Sequence, residues 1–308
     1  MINPNLDGVI KTLEKYIYPV DIIVEVTRHC NLRCIMCPYP YLERSQGNME
    51  YSTFKKIVDE TVVENPMARI WLGIMGEPLM VQDDIVYFIH YAKEQGVKEI
   101  CLNTNAVLMS PLISKKIVVS GLDKVIVSLD AFSQSTYDKI RVGGDYDKVM
   151  KNVEAFLELK KIYQNSPEII IQFIVMDENE HELEAFKEHW LSKGAIVKIR
   201  PKLGWGNAIQ SSVLEDFAKN TDRFPCAWLT RTVSIHWDGS FSQCDADHEG
   251  LYSPGHLNHN TIKEVWEGVL AERRSRHWCS DFNFKPCDTC KDWLAGRSYF
   301  YYPEGGMK

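Results

Sequence analysis

Hydrophobic positions along this chain fall into two alternating periods. Short β-rich runs at 22–26, 69–74, 98–102, 124–129, 169–175 and 195–199 predict six strands. Between them, apolar residues at three- and four-residue spacing predict helices near 52–63, 83–95, 110–119, 145–163 and 180–192. The third of these opens on Ser110-Pro111, a cap followed by proline at the first helical position. Leu6, Ile10, Leu13 and Ile17 predict a leading helix over 6–17. The acidic stretch 177–184 reads as a solvated helix start. Strand and helix repeated in this order predict a parallel sheet with helical crossovers, an α/β fold.

The alternation stops near Arg200, where Pro201-Lys202-Leu203-Gly204-Trp205-Gly206-Asn207 is loop-like. A boundary there divides the chain into 1–200, with its core at 20–200, and a smaller α+β unit at 201–308. That tail has one hairpin signal, 233–235 and 240–243 around Asp238-Gly239, and one helical pattern near 261–275. Five of the nine cysteines lie in it.

The 308 residues are 45% hydrophobic and 25% charged, which excludes disordered and small disulfide-stapled classes. A net charge of −7 gives no general attraction for nucleic acid or anionic lipid, and neither is expected as a partner. The first residues lack the order of a signal peptide and no apolar run is long enough to span a bilayer, so a cytoplasmic location is expected. In a reducing compartment, nine cysteines read as metal or redox ligands before disulfides.

Cys30, Cys34 and Cys37 form a C-x3-C-x2-C motif directly after the first predicted strand, at the sheet edge where α/β folds bind ligands. Three thiolates can hold three irons of a [4Fe–4S] cube and leave the fourth open. Structural zinc needs a fourth protein ligand, and His29, adjacent to Cys30, is an awkward one. The motif resembles that of the radical S-adenosylmethionine (SAM) enzymes. The resemblance implies a partial (β/α)6 TIM-like barrel and a [4Fe–4S] cluster whose unique iron chelates SAM. An electron from a reductant such as flavodoxin or ferredoxin then yields a 5′-deoxyadenosyl radical. Met36 stands where the family has an aromatic residue, and fills the same apolar role over the adenine.

Three further segments resemble the family. Gly76-Glu77-Pro78 is similar to its Gly-Gly-Glu-Pro segment, with Met75 replacing the first glycine; the resemblance makes Gly76 and Glu77 partners of the methionine ammonium. Ser128-Leu129-Asp130 is similar to the ribose-contacting segment, which implicates Ser128 and Asp130. Arg141 matches an arginine that pairs with the SAM carboxylate. Asn103, after the third strand, faces the same mouth and is a candidate contact.

In the tail, Cys226 is followed by twelve residues, Gly239, four residues and Cys244, and later by Cys287-x2-Cys290. By chemistry alone these four suit a closed zinc or iron–sulfur site equally. The pattern resembles the twitch subdomain, the shorter relative of SPASM, which implies one auxiliary [4Fe–4S] cluster. Cys101 reads as a buried small hydrophobe. Cys279 belongs to neither set and reads as packing, an extra ligand or a hydrogen-atom donor of the kind used by epimerases of the family. Trp205, Trp237 and Trp293 are candidates for the cleft between the units.

The expectation is a radical SAM enzyme acting on a small polar substrate, a sugar or aminocyclitol, and oxidising a secondary alcohol to a ketone. About twenty residues precede the first strand, too few for the winged helix of peptide-modifying relatives. Three alternatives stand beside it: an epimerase using Cys279, a peptide-modifying maturase, and a zinc-stapled interaction protein.

Overall fold

The computed structural model describes residues 6–11, 13–295 and 298–307. Among them, one sheet runs through the molecule: β1 (Asp21–Val24), β2 (Arg69–Leu72), β3 (Glu99–Thr104), β4 (Lys124–Ser128), β5 (Glu168–Val175), β6 (Ile196–Pro201), β7 (Thr232–Ile235), β8 (Phe241–Ser242) and β9 (Tyr299–Tyr301). Its order is β8-β7-β1-β2-β3-β4-β5-β6-β9, with β1 to β6 parallel. Helices Tyr51–Glu64, Asp84–Gln95, Pro111–Val119, Tyr146–Ile162 and Leu183–Ser192 make the crossovers. All six expected strands and the five helices between them are present. The sheet does not close, so the architecture is a partial barrel.

Side chains alternate across the strands with period two. Ile22, Ile70, Leu102 and Val127 pack in the large core beneath the helices. Their neighbours Ile23, Trp71, Asn103 and Ser128 face the lumen. At one level the lumen is filled by Cys101, Ile126, Ile170 and Ile196, so Cys101 is the buried hydrophobe its sequence context predicts.

Four features differ from the sequence expectations. The leading helix spans only Leu6–Ile10, and Ile10 and Ile17 are exposed while Val9 is buried, so the predicted apolar stripe is not the face that packs. The tail hairpin joins the barrel's own sheet, with β7 parallel to β1 and β9 antiparallel to β6. Asp21 clamps this junction, taking bonds from Arg69 (2.7 Å) and Arg231 (3.1 Å). Within the acidic stretch, Glu182 is buried and accepts from Phe132 N (2.6 Å) and Thr136 Oγ1 (2.7 Å), securing the start of helix Gln134–Ile140. Finally, Gly268 divides the pattern near 261–275 into Ile262–Glu267 and Val269–Trp278. No helix among the described residues is long and apolar enough to cross a membrane.

Candidate active site

At the carboxyl ends of the strands the lumen widens into a cavity of about 380 Å³. Cys30, Cys34 and Cys37 line it together with Gly76, Glu77, Asn103, Ser128 and Arg141. The cysteine loop is held on two sides. Arg33 N and Ile35 N donate to Val142 O (2.8 Å) and Ile140 O (3.1 Å), and Glu77 N donates to His29 O (2.8 Å). Tyr39 Oη accepts from Cys30 N at 2.9 Å. The loop is therefore shaped by backbone bonds that leave the thiols facing the cavity.

Gly76 is fixed by its surroundings. It has φ of +80°, and a Cβ there would lie 2.2 Å from Thr27 O, so only glycine lets this turn lie against the cysteine loop. The Glu77 carboxylate is turned toward the protein: it accepts from Leu79 N (3.1 Å), Thr104 Oγ1 (2.7 Å) and Asn105 N (2.7 Å). Burial raises its pKa against these three donors. Two of these donors come from the end of β3 and one from the turn after Glu77 itself, so it orders the mouth of the cavity as well as lining it.

Asp130 sits behind the cavity wall. It is fully buried, does not line the cavity, and its carboxylate is occupied by Ile174 N (2.6 Å) and by Arg141 Nη2. Its carboxylate is thus engaged by the arginine and by the backbone of β5. Burial pushes the Asp130 carboxyl up from its ordinary range, and Arg141 pulls it back. Arg141 in turn directs Nη1 to Cys34 Sγ at 3.4 Å. Held by Asp130 and facing a cysteine sulfur, it is fixed at the cavity wall, with its Nε unpaired among the described residues. Asp130→Asn keeps the φ of +60° that Asn tolerates but strands a buried guanidinium. It is expected to cost about 3–5 kcal/mol in a denaturant titration; an unchanged midpoint would show that the pair carries no such weight.

The tail cysteines Cys226, Cys244, Cys287 and Cys290 line a second, smaller pocket. Gln243 Nε2 donates to Cys287 Sγ and Asp292 N to Cys290 Sγ, both at 3.4 Å. Trp228 and Trp293 line both cavities and form the wall between them. Trp205 also lines the larger cavity and donates to Met36 O at 3.1 Å, tying the tail to the cysteine loop. Trp237 does not line it; its indole donates to Ser45 O. Cys279 lies apart from both cysteine sets. It is exposed at the end of helix Val269–Trp278 and lines neither cavity, so it is not placed to return a hydrogen atom to a substrate there.

Sequence reasoning missed the lower wall of the larger cavity. In adjacent register, Ser128, Gln172 and Lys198 form a polar layer across β4, β5 and β6, with Arg200 two residues further along. Burial, then the neighbouring Arg200, pulls Lys198 down to about 7. Asp245 enters from the tail, donated to by Ser234 Oγ, and burial pushes it up to about 7.

The donor set fits iron–sulfur groups. None of the nine cysteines forms a disulfide. Burial raises the thiols of Cys30 and Cys226 to about 11 and those of Cys37 and Cys287 to about 12, so cationic metal is needed to hold them as thiolates. Among the described residues no three His, Cys, Asp or Glu side chains are gathered for a single metal ion; each cysteine set surrounds a cavity instead, as a polynuclear group requires. Asn103 Oδ1, buried in the wall of the larger cavity, has no partner among the described residues, which suits a polar ligand there.

Comparison with known proteins gives the same picture. The radical SAM superfamily model matches residues 24–189, more than half of the chain, and a model described as an iron–sulfur cluster-binding domain matches residues 226–292. A probable GTP 3′,8-cyclase from Methanococcus maripaludis is 30% identical over 65% of this chain and 66% of its own length. A GTP 3′,8-cyclase from Clostridium botulinum is 28% identical over 66% and 64%. The chain thus spans slightly less than two thirds of these relatives. Streptococcus suis SuiB bound to precursor peptide SuiA superposes with a TM-score of 0.69 at 13% identity, over 91% of this chain and 71% of that one. BtrN in complex with AdoMet and 2-DOIA gives 0.56 at 17%, over 91% and 94%. The chain binds a [4Fe–4S] cluster with SAM, and an auxiliary iron–sulfur cluster in its tail. It belongs to the radical SAM superfamily.

Proposed function

We propose that the larger cavity is the reaction chamber of a radical SAM oxidoreductase acting on a small polar substrate, a sugar or aminocyclitol, and converting a secondary alcohol to a ketone. Cys30, Cys34 and Cys37 hold the SAM-binding cluster, and Cys226, Cys244, Cys287 and Cys290 hold the auxiliary one. Bound together, these groups supply a 5′-deoxyadenosyl radical and a nearby electron acceptor. Gly76 lets the backbone approach the methionine end of SAM, Asn103 and Ser128 offer hydrogen bonds, and Met36 covers the adenine. Arg141 and Glu77 keep the cysteine and Gly-Glu-Pro loops in place.

The observation that carries this reading is the shared wall of Trp228 and Trp293, which sets the chamber directly against the second cysteine pocket. Loss of a hydrogen atom from the carbinol carbon leaves one further electron and the hydroxyl proton to be removed, and an acceptor next to the chamber suits that step. The chamber's volume fits a compact substrate.

The test is anaerobic turnover with polyols and aminocyclitols deuterated at their carbinol carbons. One deuterium is expected in 5′-deoxyadenosine, with a product that has lost that deuterium and one hydroxyl hydrogen relative to the labelled substrate. Deuterium transfer with a product in which that deuterium is merely replaced by hydrogen would reject oxidation. The likeness to GTP 3′,8-cyclases favours a second reading, a nucleotide substrate that is cyclised, so GTP belongs in the same panel.

A further inference from the structure

The cavity wall gathers cations. Its lining includes five cations, Arg69, Arg141, Lys198, Arg200 and Arg231, against three carboxylates, Asp21, Glu77 and Asp245. Most of these are spent. Asp21 holds Arg69 and Arg231, and Arg141 is paired with Asp130 behind the wall. Glu77 is taken by Thr104 and two backbone amides, and Asp245 by Ser234. Lys198 and Arg200 remain: among the described residues neither has a hydrogen-bond or ion-pair partner. They stand at alternate positions of β6, on the strand face that lines the cavity.

Two unpaired cations side by side in a cavity wall repel each other and are poorly hydrated, an arrangement that an anion between them relieves. Gln172, paired in register with Lys198, adds a neutral amide at the same level. Asp292, Asp130 and Asp245 act on Arg200 through space, yet each is already bonded elsewhere, Asp292 to the backbone amides of Gly204 and Gly206. The lowered pKa of Lys198 has the same origin in burial and in Arg200.

We infer that Lys198 and Arg200 form an anion-binding pole of the substrate site, so that the substrate carries a phosphoryl or carboxylate group in addition to its reacting alcohol. This rests on the reading of the cavity as the substrate chamber. The anionic group docks on β6 and leaves the reacting carbon toward the cysteine loop. A phosphoryl group engages both the lysine point charge and the arginine fork, and a carboxylate engages the fork.

The experiment is tryptophan fluorescence titration of the reconstituted holoenzyme with excess SAM, using inorganic phosphate, acetate and neutral myo-inositol as probes. Trp71, Trp205, Trp228 and Trp293 report from the cavity wall. Saturable binding of phosphate, or of acetate alone, is expected, and the preferred probe tells which anionic group the substrate carries. Lys198→Gln and Arg200→Gln should each weaken it roughly ten-fold or more, while Lys198→Arg restores it. Binding of neither anion, or binding that both Gln variants leave unchanged, overturns the inference. So does anion binding seen only without SAM, which would assign the pair to the SAM carboxylate. An enzyme that oxidises a neutral polyol and ignores both anions refutes the pole and keeps the proposed function. One that binds phosphate at this pair but oxidises nothing does the reverse.

Discussion

Replacing Cys30, Cys34 and Cys37 together with alanine is expected to lower the iron of anaerobically reconstituted protein from about eight to about four per chain, with sulfide falling in parallel. The triad lines the large cavity and the tetrad a separate pocket across the Trp228–Trp293 wall, so removing one set leaves the other's thiols intact. The loop's fold should survive, because Arg33, Ile35 and Glu77 anchor it through backbone amides that the substitution does not touch. The remaining four irons therefore also act as a folding control. A fall from about four to none would instead mean that the tail holds no iron–sulfur cluster, and oxidation dependent on one would be abandoned.

Cys226→Ala with Cys244→Ala is expected to separate radical formation from product formation. Iron falls again to about four, but the four irons left are those at Cys30, Cys34 and Cys37. Reductive SAM cleavage should persist, since none of the residues proposed to hold SAM lies in the second pocket. The oxidised product should fall to background, because the radical formed on the substrate loses its electron acceptor. Cys226 and Cys244 lie near β7 and β8, so the thermal midpoint must be followed alongside. A variant that folds, cleaves SAM and still makes ketone would assign the tail cluster a structural role.

Much of this architecture is legible in the sequence because its signals are local. Each of the six barrel strands is a contiguous run with a helix after it, and Cys30, Cys34 and Cys37 occupy one loop. What depends on contacts distant in sequence is not legible. β7 pairs with β1 across some two hundred residues of chain. Asp130 and Arg141 each match a motif through their neighbours in sequence, and only three dimensions show that they are bonded to each other. Cys279, eight residues before Cys287, stands apart from both ligand patterns in sequence, and its exposed position at a helix end follows only from the fold. Lys198, Arg200 and Gln172 gave no signal, because a polar residue at alternate positions of a short strand usually means an ordinary solvent face. Here that face is the lumen. Glu182 shows the same effect, a charge in an acidic run that is buried over a helix start.

The most direct test of the account is the fate of SAM itself. Reconstituted wild-type protein, reduced anaerobically with dithionite, is expected to convert SAM to methionine and 5′-deoxyadenosine in equal amounts, and the Cys30/Cys34/Cys37→Ala variant to form neither. Wild-type protein that carries about eight irons per chain yet leaves SAM intact would contradict the central claim that this cavity is a site of radical generation.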